Sequence, residues 1–232
     1  MQHMLRPNLG LISARSNKSY QMDHFFCTDS IMEAKCGEST TQSYLFPLYL
    51  YTAEERRPNI NPSILAELEN QYGVRILPEE LFSYIYGLMH SPQYREKYTQ
   101  FLRIDFPRIP FPDDYETFAA LFGLGLEMVE LHLMRKPLPV TVKFDVEGKN
   151  QIERVKYKEG EGKVFINKTQ YFEGVPEDVW QFKIGGYPVL AKWLKYRKTL
   201  SSQEVEHAIQ IVEIIKETIR LMKEVDRLTA WV

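Results

Sequence analysis

Between Asp178 and Glu204 the sequence carries Lys183, Lys192, Lys195, Arg197 and Lys198 and no carboxylate. From its start to Asp23 it carries Arg6, Arg15 and Lys18, again unopposed, beside Asn8, Asn17 and Gln21. Lysine and arginine neutralise phosphates, while arginine, asparagine and glutamine make paired hydrogen bonds to base edges in the major groove. The chemistry within reach of these residues is therefore nucleic-acid recognition. Lys183, Lys192, Lys195 and Lys198 are candidate phosphate contacts. Arg15, Lys18, Arg57, Asn59, Lys168 and Gln170 lie in polar segments outside the strongest apolar faces and are candidate base readers. A merely solvated face is the ordinary alternative for any such charge cluster.

Bond-making chemistry has no comparable pattern. The sequence has no glycine-rich phosphate loop, no His-Glu-x-x-His and no Gly-x-Ser-x-Gly elbow, and its five histidines are scattered without partners at ligand spacing, so no catalytic or metal-ligating residue is assigned. Gly123-Leu-Gly125 falls inside a helical pattern with no third glycine, which points to close helix packing. Pro58-Asn-Ile-Asn-Pro62 has the wrong order for the Asn-Pro-Pro-aromatic loop of amino-methyltransferases. His132 reads as an ordinary helix residue, and Tyr84, Tyr86 and Tyr94 as core or edge aromatics rather than a base-stacking platform.

The elements that must position the cations have material for a real core. At 232 residues, 44% hydrophobic and 13% aromatic, the chain can form one large domain or two small ones. Its formal net charge of -2 excludes a uniformly basic nucleic-acid coat. Two cysteines, Cys27 and Cys36, are too few for a disulfide framework or a zinc site. No apolar run approaches a membrane span and no secretory signal opens the sequence, so a cytoplasmic protein is expected.

The pattern along the chain is α+β (mixed α/β). Residues 1–52 are an irregular β-rich part, with strands over GLISAR, HFFCTDSIM and SYLFPLYLYT. Amphipathic helices are expected near 78–89, 114–134, 187–197 and 202–226, with shorter ones ending near Gly73 and opening at Ser91-Pro92. Asp113 with Glu116, and Ser201 with Glu204, stand in capping register. Val140, Val142, Phe144 and Val146 alternate with polar residues, and with turn signals at Gly148 and Gly160 this predicts a small antiparallel meander near 140–167. One domain over 1–232 is expected, divisible into an N-terminal recognition lobe, 1–112, and a lobe over 113–232 holding the helix, the meander and the C-terminal helices. The phrase RIDFPRIPFPDD, 103–114, formally contains PxxP but is too apolar for an exposed linker, and reads as a stiff structural joint.

Several long phrases, GLISARS (10–16), SYLFPLYLY (43–51), RRPNINPSIL (56–65), the stretch from Pro78 to Pro112, QYFEGVPEDVWQFKIGGYPVLAKWLKYR (170–197) and ETIRLMKEVD (217–226), carry a resemblance. Together they resemble the C-terminal specificity region of type ISP and type IIG restriction-modification enzymes, which join a nuclease or helicase portion to an N6-adenine DNA methyltransferase and a target-recognition domain. The resemblance implies a domain that reads double-stranded DNA and is tied by helices to the methyltransferase domain of the same polypeptide. It implies no cofactor in this chain, with S-adenosylmethionine bound in the methyltransferase part, so that the fragment alone is not expected to methylate. Two other readings stay open: a protein-interaction module using the 202–226 helix, and a small enzyme of unrecognised type. The broad apolar face of that helix supports the first, which self-association without DNA affinity would favour, and a deep pocket with convergent acids or histidines would favour the second.

Overall fold

In the computed structural model, which describes residues 1–18, 21–37 and 39–230, the chain sorts into two units. The first holds residues 1–135 together with the chain from 221 on, and the second residues 136–220. The expected lobe boundary at 112/113 lies inside the first unit.

In the first unit β1 (Gly10–Ala14) is the centre of an antiparallel sheet between β2 (Phe25–Thr28) and β3 (Ser43–Pro47). Ile12 stands opposite both Phe26 and Leu45. β4 (Tyr49–Tyr51) and β5 (Arg56–Pro58) form a separate hairpin. Helix α1 (Pro62–Tyr72) is capped by the Asn61 side chain, which accepts the Ser63 N–H, and ends at Gly73 with a φ of 68° that suits a residue without Cβ. α2 (Pro78–Met89) begins with Glu80 accepting the Leu77 N–H at 2.8 Å. α3 (Pro92–Lys97) is capped by Ser91, α4 (Thr99–Leu102) follows, and α5 (Tyr115–His132) is capped by Asp114, one residue later than the expected Asp113.

α2 and α5 cross at their glycines. A Cβ on Gly125 would lie 1.8 Å from the Ser83 carbonyl oxygen, and one on Gly87 3.0 Å from the Gly125 Cα, so the two backbones touch where a side chain would separate them. Tyr84, Tyr86 and Tyr94 are buried, as expected of core aromatics riding on amphipathic helices. Their hydroxyls still need partners, and the proline-rich strap supplies two of them. Tyr94 O–H donates to the Arg108 carbonyl at 2.7 Å, Tyr84 O–H to that of Pro110, and Tyr72 O–H to that of Pro112 at 2.7 Å. Alternate carbonyls of an extended segment point the same way, and prolines at 110 and 112 have no N–H to satisfy. Phe111 stacks on Tyr84, and Phe106 meets Tyr44 and Phe46 edge-on. The strap is thus bound along its length by the unit it belongs to. Replacing Tyr94 with Phe leaves the Arg108 carbonyl without this donor, and a loss of about 1–3 kcal/mol is expected in urea unfolding. A loss below about 0.5 kcal/mol would mean that the Tyr94 bond adds little to the hold of the strap.

In the second unit β6 (Lys156–Lys158), β7 (Lys163–Phe165) and β8 (Tyr171–Glu173) form an antiparallel meander. α6 (Glu177–Gln181), the two-residue strands β9 (Lys183–Ile184) and β10 (Tyr187–Pro188), and α7 (Val189–Lys195) follow. α8 (Ser202–Leu228) carries the expected Ser201/Glu204 box: Glu204 accepts the Ser201 N–H at 2.9 Å while Ser201 Oγ accepts the Glu204 N–H at 3.3 Å. The core joins Val164, Ile166 and Phe172 to Val179, Leu190, Leu194, Ala208 and Val212.

The meander expected over 140–167 is corrected to 156–173. Residues 141–146 do alternate in burial, with Val142 inward and Thr141 and Lys143 outward, while Val140 is exposed against expectation, and only Lys143 forms a bridge, to Glu173. The Thr141 and Val142 amides go to a helix side chain instead. Glu213 on α8 accepts the Thr141 N–H at 2.6 Å, the Thr141 hydroxyl at 2.8 Å and the Val142 N–H at 2.9 Å. Burial pushes its carboxyl pKa up, but these donors and Lys216 outweigh that and hold it below the usual range. The broad apolar face of α8 is also consumed within the chain: Ala208, Val212 and Ile215 in the second unit, and Leu221 and Val225 in the first, are all buried. That removes the observation which would have favoured an interaction module.

Candidate nucleic-acid interface

The first unit places its candidate readers at two ends of one strand pair. Arg15 follows β1 where Ala14 stands opposite Ser43, and its guanidinium pairs with Asp105 at 3.5 Å, both side chains about two-thirds exposed. The loop carrying Arg15 and the exposed Lys18 is fixed to the start of the strap, because Asn17 N–H donates to the Leu102 carbonyl and Ser16 O–H to that of Arg103. Asn59 sits at the opposite end, where its side-chain amide donates to the Pro47 carbonyl, and Pro47 stands opposite Gly10. Four residues of strand separate these ends, roughly 13 Å. The structure therefore does not gather Arg15, Lys18, Arg57 and Asn59 into one patch.

Around Asn59 the β4–β5 hairpin is basic and aromatic. Arg57 is exposed beside it, and Arg56 lies 3.5 Å above the Tyr49 ring and 3.6 Å from Glu79. An arginine fixed on a ring is held out of free rotation, while Arg57 keeps its rotamers.

In the second unit the candidate phosphate contacts lie between β9 and the start of α8. Lys183, Lys195 and Lys198 are exposed, and Lys192 sits 3.7 Å over the ring of Tyr187. Arg197 is committed elsewhere: it pairs with Glu204 at 3.1 Å, donates to the Trp193 carbonyl and covers the Trp193 ring. Tyr196, between Lys195 and Arg197, is 77% exposed and so offers a bare ring beside the lysines.

Gln170 is the one candidate whose placement opposes its expected role. Only 1% of it is exposed. Its Oε1 accepts the Asn150 N–H at 2.9 Å and an Asn167 amide proton at 3.0 Å, and its Nε2 donates to the Val146 carbonyl and to Asn150 Oδ1. An amide spent in this way shapes the loop and is not available to a base. Gly148 leaves room for it, since a Cβ there would stand 2.5 Å from the Gln170 Cδ. Lys168, two residues earlier, is exposed at the rim of the loop.

The meander brings together cations that the sequence reading did not single out. Its inner face carries Val164 and Phe172, both 0% exposed, with Tyr157 stacked on Trp180. By alternation the other face carries Lys156, Phe165 and Tyr171 in one cross-strand row, and Lys158, Lys163 and Glu173 in the next. The period-two lysines were visible in the sequence, but Glu153, Glu159 and Glu161 among them masked any charge run.

Among the described residues no arrangement of acids and histidines suited to catalysis emerges beside these faces. The histidines that do come together, His90 and His132, lie against Tyr86 and the buried Arg95 in the first unit. Among the described residues no cluster of three or more His, Cys, Asp or Glu is arranged to hold a metal ion, and no helix is long and apolar enough to cross a membrane.

A family profile described as the Type ISP C-terminal specificity domain matches residues 1–224. Three solved structures are similar in fold. The ATP-dependent Type ISP restriction-modification enzyme LlaBIII bound to DNA matches with a TM-score of 0.74 at 21% identity, over 95% of this chain and 16% of that one. The DrdV–DNA complex matches at 0.69 and 24% identity, over 97% and 25%. A nuclease-deletion mutant of the Type ISP restriction-modification enzyme LlaGI in complex with a DNA substrate mimic matches at 0.66 and 19%, over 95% and 17%. The chain thus spans a quarter or less of the length of each of these proteins. No curated protein matches it. The chain belongs to the Type ISP C-terminal specificity domain family.

Proposed function

We propose that this specificity domain reads a DNA sequence on behalf of an adenine methyltransferase carried elsewhere in a restriction-modification polypeptide. The observation that carries the reading is the family match over residues 1–224, and the likeness to chains solved with DNA supports it. S-adenosylmethionine, double-stranded DNA as the partner, and the methyltransferase domain of the same polypeptide belong to this proposal. The physical logic is a division of labour. A methyltransferase must take its adenine out of the stack at a cost of a few kcal/mol, so a second surface must hold the duplex in register and read the flanking bases.

Within that reading Lys183, Lys192, Lys195 and Lys198 grip phosphates, and Arg15, Lys18, Arg57, Asn59 and Lys168 are the side chains with polar groups exposed for contact. Gln170 acts one step back, as the support of the loop that presents Lys168. A grip of this kind is tested by salt. Replacing Lys195 and Lys198 with alanine is expected to weaken binding to all duplexes alike and to lower the slope of log K against log salt by about 1 per residue. An unchanged slope would assign that face to solvent.

A further inference from the structure

The outward face of the meander borders an open cavity of about 460 Å³ lined by Glu153, Arg154, Lys156, Lys158, Phe165, Asn167 and Lys168. Four cations and one carboxylate thus converge on one ring in a chain whose whole sequence holds 31 acids to 29 bases. Neighbouring carboxylates do not cancel the charge. Glu161 holds Lys158 at 2.5 Å, and Glu173 holds Lys163 at 3.5 Å, but Arg154, Lys156 and Lys168 are exposed and have no carboxylate partner among the described residues.

We infer that this cavity is a second binding site for the sugar–phosphate backbone of DNA, distinct from the Lys183–Lys198 segment. The inference rests on the reading of the chain as a DNA-recognition domain and adds to it a surface. Three features select this ligand class. Lys156 and Lys158 leave the same side of one strand about 7 Å apart, a spacing commensurate with consecutive phosphates of one nucleic-acid strand, the second phosphate taking the place of Glu161 at Lys158. Phe165 gives the cavity an apolar wall in contact with Tyr171 at 5.0 Å, which suits the deoxyribose or an unstacked base rather than a free ion.

The third feature is rigidity. Lys156 and Lys158 stand on a sheet whose other face is locked in the core. The rim is equally fixed: Asn167 Oδ1 accepts the N–H groups of Thr169 and Gln170, its amide donates to the Gln151 carbonyl, and the buried Gln170 ties the whole turn to residues 146–150. Lys168 is therefore presented toward the cavity by a preformed turn, so that binding orders little besides its side chain.

The test uses the 232-residue chain and its Arg154→Ala, Lys156→Ala, Lys168→Ala triple variant, all three positions being exposed so that folding can be confirmed by an unchanged thermal transition. Binding to a fluorescent duplex is titrated against salt. The expected result is a fall in slope of about 3 for the triple variant, one per cation, with partial recovery when arginine stands at 156 and 168. If the wild-type chain binds duplex and the variant keeps its slope, the cavity is not a backbone site, while the domain's role stands. If the wild-type chain binds no duplex, the functional reading fails and takes this site with it. Competition by inorganic phosphate at millimolar concentration with no preference for DNA would also overturn the inference.

Discussion

Gly125→Ala is expected to cost the first unit about 3 kcal/mol or more, measured as the shift in its urea unfolding midpoint. A Cβ at that position would lie 1.8 Å from the Ser83 carbonyl oxygen and 2.7 Å from its carbon, and backbone cannot rotate aside as a side-chain tip can. Gly87 blocks the other route, since its amide nitrogen would lie 3.1 Å from the same Cβ. α2 and α5 would have to move apart, opening gaps around Leu88, Leu121 and Met128, all fully buried. Against this stands only the gain of about 1 kcal/mol for alanine over glycine in a helix. Gly123→Ala isolates that gain two residues away, because a Cβ there meets nothing within 4 Å. Stabilisation by up to about 1 kcal/mol is expected at 123 alongside destabilisation at 125. Equal effects at the two positions would contradict the close crossing.

Acid should unfold the first unit earlier than its carboxylates alone would require. Burial, reinforced by the charge of Arg95, pulls the His132 imidazole down from 6.5 to about 4, and burial with the same arginine and His132 lowers His90 well below its ordinary value. The groups facing them include the Tyr86 hydroxyl, 2.6 Å from His132 Nδ1, the Cys27 thiol beside that hydroxyl, and Arg95, whose Nε donates to the Met89 carbonyl and on whose charge Asp23 and Asp226 act. In the unfolded chain both histidines take up protons near pH 6.5, and in the folded chain His132 resists until about 4, so the unfolded state binds more protons across that interval. Stability from this source is complete above pH 6.5 and is lost as pH falls toward 4, by about 3 kcal/mol for His132, with His90 adding in the same direction. Burial also raises the Cys27 thiol from 9.0 to about 11, which places a second loss at alkaline pH. Unfolding free energies of the wild type and His132→Gln between pH 7.5 and 4.5 check the assignment: the variant should show a markedly shallower decline, and identical declines would move the effect to other groups.

These two expectations depend on details of different legibility. The Gly-Leu-Gly phrase and the helical periodicity around it already pointed to a close crossing, because glycine inside an amphipathic helix has few other uses. Which of the two glycines lies at the crossing is a matter of helix phase that only the coordinates give. The histidine pair was not legible. His90 and His132 are 42 residues apart, brought together by the same α2–α5 crossing, and no local pattern announces it.

The cationic surfaces divide in the same way. The acid-free stretch from Lys183 to Lys198 was visible as a run, since its spacing is local. The meander face was not, because its acids and bases alternate in sequence and separate only when the pleat sends them to different neighbours. Gln170 shows the converse failure: a glutamine among polar residues reads as solvent-facing, yet Gly148 and the left-handed Asn150, φ 52°, open a loop that closes around it. Residues 141–146 show that period-two patterning tells which side chains point inward, Val140 at its open end excepted, but not what the amides bond to. Pro137 and Pro139 remove two donors, and Glu213 from a distant helix satisfies the next ones in place of a strand.

The role proposed for this chain is to choose a DNA sequence. Its most direct measurement is selection: the chain is incubated with a pool of duplexes carrying a randomised centre at fixed moderate salt, and the retained duplexes are sequenced over successive rounds. Enrichment of a single short motif is expected, with alanine at Arg57 or Asn59 relaxing one position of it by about 1–3 kcal/mol of discrimination. A retained pool as random as the starting one, with binding that varies only with salt, would contradict it.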